Sequence, residues 1–496
     1  MSDEALERAK RQAAERILED ERLYSNLRDE EGSWLVDWAM AQLDAPLPPT
    51  RDQAEAEAVV ETRARRIRQA LRDINDLVGE RGRLSQSERE ARLRTILARS
   101  GESSALWTGS AETNEAQSLL AEWDHLSNPE LVRRLALLIQ HTWREAQRDR
   151  EEARARVSQK RSCLGGFLFA LFSLMLIVAG FFLLRQFLQR FPAPLPPTPT
   201  AAVHTATPLA NNWYEIYFTA PRSPDDAAPS DRQDSLEQRF IEFVQATQTR
   251  LDIAVYDMDL MTVAEALVAA QARGVQLRMV VDADYAEEPA LVFLRQANVP
   301  MVLDDRSGYM HNKFAVADGR LVWTGSWNIA ERDTYNHNNH AVRLESPELA
   351  RNYEMVFEEM FTRRQFGPGR PPTLQTRFVI HNVVVENYFS PEDRVASKLI
   401  ARLQDAQKSI EFMAFSFTHN DIGEAMLARA RAGVEVRGVF ETTGSDTRFS
   451  VYSLMREAGL AVRQDGNPFL MHHKVIIIDR HIVIFGSYNY SANADQ

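Results

Sequence analysis

The chain has 496 residues, 44% apolar and 26% charged, an ordinary globular composition with length for two or three domains. A formal charge of −12 excludes a broadly basic protein built to coat nucleic acid, and a single cysteine excludes a disulfide scaffold or a cysteine-based zinc cluster. Residues 191–496 alone carry 29 Lys+Arg against 39 Asp+Glu, a further weak argument against a surface that grips long polyanions.

Residues 1–160 read as helical throughout. Ser87-x-x-Glu90 has the form of a capping box ahead of an apolar-periodic run, with Gly101 placed as its stop. Asn128, followed by Pro129 and Glu130, predicts an N-cap, a first-position proline and an acid in the first turn. Trp34 and Trp38 stand one turn apart, as in a packed helix–helix seam. No chemistry is legible here. The region reads as a helical regulatory or interaction unit whose protein partner is unidentified.

From Cys163 to Leu184 there are 22 residues without a charge. As a helix they would rise roughly 33 Å, enough for the hydrocarbon core of a bilayer. Seven basic residues between Arg144 and Arg161 precede the run, while Arg185 and Arg190 follow it. The positive-inside rule then predicts a single-pass membrane protein with residues 1–162 cytoplasmic and the remainder extracytoplasmic. The Pro/Thr-rich segment 191–210 reads as an extended linker.

The rest of the chain is a repeat. The segments 251–258 and 272–283 recur as 410–417 and 430–441, each pair flanking a helix-patterned stretch. Aromatic strands at 213–221 and 383–391 are expected to open the two copies. Short β-rich runs alternating with amphipathic helices predict an α/β fold with helices on both faces of a sheet. The halves are placed at 212–365 and 376–496, joined by the helix 346–361 and the Gly/Pro turn at 367–372.

Each copy ends in H-x-K-x4-D-x6-G-S-x-N. The first set is His311, Lys313, Asp318, Gly325, Ser326 and Asn328; the second is His472, Lys474, Asp479, Gly486, Ser487 and Asn489. The register leaves His473 as the variable middle residue. A lone His is more often a core residue and a lone Gly-Ser more often a turn, but twelve matched residues in a duplicated unit are neither. The set suits a phosphodiester: one imidazole attacks phosphorus, and a second protonates the leaving alkoxide and later activates water. Two lysines and two Ser/Asn pairs neutralise and bind the non-bridging oxygens. No metal or other cofactor is called for, since carboxylates are sparse in these motifs. Asp318 and Asp479 sit where strand meets turn, so an orienting or turn-stabilising role is favoured over a catalytic one. His337, His340, His419 and His481 read as surface or supporting groups.

The duplicated motif resembles that of the phospholipase D superfamily, over about residues 212–496. The resemblance implies two pseudo-twofold-related α/β halves, preceded here by an all-α region and one transmembrane helix, with the site in a cleft between the halves. It further implies a phosphohistidine intermediate, with His311 as nucleophile, His472 as acid, and Lys313, Lys474, Asn328 and Asn489 on the phosphate. Two departures stand out. Many small members carry an acidic residue after G-S-x-N that orients the histidine; here Asn339 stands in the corresponding stretch 336–344. Orientation of the first-copy imidazole is then expected from amides, or from Glu331 or Asp333. Second, Gln496 aligns with Tyr335, so the second copy lacks the Asn/His loop and following strand; a C-terminal fragment is expected, with an open edge beside the 474–479 strand and no partner for His472.

The apolar run and acidic balance favour a phospholipid diester at a bilayer as substrate. The alternatives are a metal-independent endonuclease on nucleic acid and a phosphatidyltransferase of the cardiolipin synthase kind. Exposure of Tyr309, Phe469 and Leu470 at the cleft rim would favour lipid.

Overall fold

The computed structural model describes residues 3–20, 23, 27, 29–47, 50, 52–101, 111–143, 213–221, 234–306, 308–369 and 375–495. The apolar run 163–184 and the linker 191–210 lie outside these residues. Among the described residues no helix is long and apolar enough to cross a membrane.

The chain divides into two compact units. The smaller, residues 85–125 and 137–210, contains the helices α4 (Gln86–Gly101) and α5 (Ala111–Glu122). Its capping box is Ser85-x-x-Glu88, two residues earlier than expected. The Ser85 amide donates to Glu88 Oε2 at 2.8 Å and the Glu88 amide to Ser85 Oγ at 3.4 Å. Both pairings fit S-x-x-E, but only Ser85 lies just outside the helix, where its hydroxyl meets an orphan N–H.

The larger unit comprises residues 1–84, 126–136 and 211–496. It begins with α1 (Asp3–Leu18), α2 (Asp29–Asp44) and α3 (Gln53–Gly79). The next helix of this region starts at residue 128, and its cap is Ser127 rather than Asn128. Ser127 Oγ accepts from the Glu130 amide at 3.4 Å, while Asn128 accepts from Arg81 at 2.6 Å. Trp38 is buried in α2, and Arg133 lies 5.7 Å over the Trp34 ring.

The first α/β half is a seven-stranded mixed sheet in the order β1-β7-β6-β5-β2-β3-β4. Its strands are β1 (Tyr214–Phe218), β2 (Arg250–Val255), β3 (Gln276–Asp282), β4 (Met301–Asp304), β5 (Lys313–Ala317), β6 (Leu321–Gly325) and β7 (His340–Glu345). β2, β3 and β4 are parallel, while β5 runs antiparallel to β2 and places Lys313 beside Val255. The continuously apolar β5 and β6 are buried on both faces, as a sheet sandwiched by helices requires. On one face pack the helices Leu236–Ala246, Met261–Ala272 and Pro289–Gln296, through Phe240, Leu267 and Leu291. On the other lies Pro347–Phe361, through Val356 and Phe357. There Arg278 grips Asp252 at 2.8 and 2.9 Å while stacking 4.9 Å from the Phe357 and Phe361 rings.

The second half has five strands in the order β12-β11-β10-β13-β14: β10 (Ser409–Ala414), β11 (Glu435–Phe440), β12 (Ala461–Gln464), β13 (Lys474–Ile478) and β14 (Ile482–Phe485). Gly438 of β11 lies under the Phe412 ring, whose atoms would stand 2.2 Å from any Cβ placed there. One expectation needs correction. The run 383–391 does not open this sheet: β8 (Arg377–Ile380) and β9 (Val383–Glu386) form a separate hairpin, and Phe378, Ile380 and Phe389 join the outer core of the first half. An open edge does lie beside β13: it is β14, with Val483 59% exposed, while β13 itself is paired on both sides by β10 and β14.

The span expected at 163–184 lies outside the described residues, but the parts that flank it are described. α1–α3 share one unit with both α/β halves: Tyr309 donates to the Arg16 carbonyl at 3.1 Å, Arg448 pairs with Glu7 and Asp44 at 3.0 and 2.6 Å, and Glu15 accepts from Thr418 at 3.0 Å. Contacts of this kind form between segments on the same side of a bilayer. Impermeant thiol reagents on membranes carrying the full chain should therefore label cysteines introduced at residues 7 and 448 from the same side. Labelling from opposite sides would refute this packing.

Candidate active site

The two motif copies build matching clusters. β2 and β10 each end just before an aromatic residue, Tyr256 and Phe415, which the repeat aligns. The His311 ring lies 4.9 Å from Tyr256 and the His472 ring 4.8 Å from Phe415. Lys313 Nζ stands 4.9 Å over Tyr256, and Lys474 Nζ 4.6 Å over Phe415. Each half thus folds an imidazole and an ammonium around one ring, where cation–π attraction helps hold a buried lysine charged. Lys474 also donates to the His472 carbonyl at 2.9 Å. Lys313, Lys474, Asn328, Asn489, Ser326 and His472 are all buried; His311 and Ser487 are half-buried. Asn489 Oδ1 is buried without a protein hydrogen bond.

The halves meet at the loop 336–340. The Asn338 amide donates to the Leu470 carbonyl and the His472 amide to the Asn338 carbonyl, both at 2.9 Å, a one-residue parallel bridge with Met471. This bridge delivers Asn339 to the second half. Its Oδ1 accepts from His472 Nδ1 and from Ser326 Oγ, each at 2.8 Å, and its Nδ2 donates to Asp333 Oδ1 and O at 3.0 Å. Those donations assign the amide's orientation, which makes Nδ1 of His472 the protonated nitrogen. Asp333 Oδ1 further accepts from Asn328 Nδ2 at 3.3 Å and lies 3.8 Å from His472 Nδ1. Hence Asn339 and Asp333, expected to orient the first-copy imidazole, serve His472 instead. The partner expected to be missing from the second copy comes from the first.

The glycine of G-S-x-N has a steric cause in the first half. A Cβ on Gly325 would stand 2.3 Å from the His340 carbonyl of β7, which accepts from the Ser326 amide at 3.0 Å. Close approach of the two strands brings Ser326 to Asn339. At Gly486 nothing lies within 4 Å of that position.

The motif aspartates face the opposite end of the strands. Asp318 accepts from the amides of Gln248, Thr249 and Arg250, and from the Thr249 hydroxyl. Asp479 repeats this on Gln407, Lys408 and Ser409. Burial raises the Asp318 carboxyl, but these donors outweigh burial and hold it below its ordinary value.

Of the remaining histidines, His340 is buried and stacks on His473 at 5.3 Å, with Nδ1 atoms 3.1 Å apart. Burial drives both pKa values down, His473 to about 4 with help from Lys474, so one neutral ring donates to the other. His337 is buried beside Asp333, His419 lies 3.4 Å from Asp495, and His481 is exposed. Asp282, at the end of β3, was not singled out by the motif. It accepts from the Met310 amide at 2.8 Å and so anchors the backbone that carries His311. Leu470 is buried, while Phe469 and Tyr309 are half-buried, so these three form no open apolar rim.

Comparison with known proteins agrees with this architecture. Residues 240–361 and 399–495 match the family described as "Cardiolipin synthase, PLD-like domain". The mitochondrial cardiolipin hydrolase of Xenopus tropicalis is 31% identical over 145 residues, 29% of this chain and 68% of that protein. A phospholipase D of Rickettsia prowazekii (strain Madrid E) is 30% identical over 112 residues, 23% of this chain and 55% of the other. Among solved structures, the family member Nuc from Salmonella typhimurium aligns at 20% identity and a TM-score of 0.26, over 30% of this chain and 93% of its own. The chain belongs to the phospholipase D superfamily. It is a phosphodiesterase of the phospholipase D type.

Asn339→Ala should lower kcat by about 10–100-fold with little change in KM, the usual effect of losing a group that orients a reacting imidazole; an unchanged kcat would remove Asn339 from the mechanism. Asp318→Ala should leave the reacting groups in place and destabilise the fold by about 2 kcal/mol, in line with lost hydrogen bonds to a charged acceptor. Because the folded-state pKa lies below the unfolded one, that contribution is full above pH of about 4 and is lost as pH falls through the folded value. Denaturant melts at pH 7 and pH 2 should therefore differ less for the variant than for wild type, while Asp479 keeps its own pH dependence in both.

Proposed function

We propose that this chain is a membrane-associated phosphodiesterase that hydrolyses phospholipid diesters through a phosphohistidine. The observation that carries the reading is the chain Asn328–Asp333–Asn339–His472, which joins the phosphate-binding asparagine of one motif to the histidine of the other.

His311, half-buried and facing Tyr256, is the nucleophile. An imidazole nitrogen forms the N–P bond as the P–O bond to the leaving alcohol breaks. His472 is the acid. Asn339 fixes its Nδ1, leaving Nε2 to hand a proton to the departing oxygen, and Asp333 supplies negative charge near the imidazolium. In the second step water attacks phosphorus, gives its proton to His472, and the N–P bond breaks. Lys313, Lys474, Ser326, Asn328, Ser487 and Asn489 bind the non-bridging oxygens. Phospholipid is favoured over nucleic acid by the 22-residue apolar run and the net −10 of residues 191–496. The apolar run associates with the bilayer without parting the N-terminal helices from the catalytic halves.

The purified chain in detergent should cleave phospholipid vesicles in EDTA at the rate seen without it. Loss of turnover on chelation with recovery in Mg²⁺ would refute the mechanism, and cleavage of single-stranded DNA alone would make the nuclease the better reading. His472→Asn should accumulate an acid-labile, base-stable phosphoryl adduct with a substrate carrying a good leaving group, and His311→Asn should form none. Label on His472 would reverse the two roles.

A further inference from the structure

The N-terminal helix α1 ends in three buried carboxylates, Glu15, Glu19 and Asp20. Sequence offers no reason to bury them, since uncompensated buried charge is costly. Their partners give the reason, and they lie on both sides of the active site. Glu15 accepts from Thr418 Oγ1 and the Asn493 amide, each at 3.0 Å. Thr418 lies three residues beyond Phe415, and Asn493 four beyond Asn489. Glu19 accepts from Asn493 Nδ2 at 2.9 Å and from the Ser491 side chain, close enough to Lys474 to feel its charge. On the first half, Tyr309, two residues before His311, donates to the Arg16 carbonyl and lies 3.3 Å from Asp20, whose other partner Arg72 also holds Asp284. Arg11 adds bonds to the Thr418 carbonyl and Asn420 at 3.2 and 3.4 Å.

We propose that α1 and the turn after it form an autoinhibitory block, in which the Glu15 and Glu19 carboxylates hold the mouth of the phosphate site closed and a phosphodiester must displace them. The proposal rests on reading the site as phosphodiester-binding. The Glu19 carboxylate is near enough to Lys474 to feel its charge, so it competes with a phosphate oxygen for that ammonium. With α1 docked, Lys474 is 1% and Lys313 4% exposed. The block is also releasable. Burial pushes the Glu19 carboxyl up to about 7 despite Ser491, Asn493 and Lys474, so this docked carboxylate is held at a desolvation cost that undocking relieves.

The test uses the full chain in detergent and tungstate, a tetrahedral oxyanion, as the binding probe. Glu15→Lys/Glu19→Lys places positive charge against Lys474 and should expel α1. Tungstate should then bind at least tenfold tighter than to wild type by calorimetry, hydrolysis of bis(p-nitrophenyl) phosphate should rise at least tenfold, and amides of residues 3–18 should exchange faster. Arg11→Ala, which keeps every buried carboxylate and removes two hydrogen bonds, a contact over the Phe449 ring and a charge near Glu15, should give a smaller change in the same direction and serves if the double variant fails to fold. Tungstate affinity equal in wild type and variants, or absent from all, would overturn the block. Tighter tungstate without any diester turnover would uphold the block and sink the phosphodiesterase reading instead.

Discussion

The hydrogen bond from His472 Nδ1 to Asn339 Oδ1 is the contact on which the rest of this site depends. It fixes the imidazole of the second motif and ties the two α/β halves together, alongside the Asn338–Met471 bridge that carries the loop across the interface. A neutral amide in this role acts differently from a carboxylate. It orients the ring without placing a full charge against it, and the charge enters one step further out, at Asp333. Such indirect support holds the tautomer while leaving the proton easier to give away.

The duplication is regular in its frame and irregular in its finishing. β2, β3, β5 and β6 have counterparts in β10, β11, β13 and β14, with a ring, an imidazole and an ammonium packed alike in both halves. β1 and β7 have no counterpart in the second sheet. Their presence encloses Gly325 and Ser326 on the first side, while Gly486 and Ser487 remain more open. The two halves of the site are therefore unequal in shelter.

Much of this was legible from spacing. The H-x-K-x4-D-x6-G-S-x-N register located both lysine–histidine clusters, because a strand pair joined by a tight turn fixes where each residue of the motif emerges. The alternation of β-runs and amphipathic helices located the sheets. What spacing could not convey was which half each loop serves. Asn339 is thirteen residues from Ser326 in the chain but 133 from His472, and only the packed halves reveal that it belongs to both. The capping boxes slipped by one or two residues because Ser85, Ser87, Ser127 and Asn128 all satisfy the local rule and backbone geometry chooses among them. The basic flank of the apolar run is a local signal and says nothing of how α1 packs against Thr418 and Tyr309.

The order of the parts along the chain has a consequence for synthesis. Helix α1 precedes His472 and Asn489 in the chain and is therefore translated before them. A nascent chain that has folded its first half holds His311 and Lys313 but no second imidazole, and is chemically silent while it waits. By the time the second half docks, the N-terminal helix is already made and at hand. A phosphodiesterase built in this order assembles its second motif only when α1 is already present to pack against it.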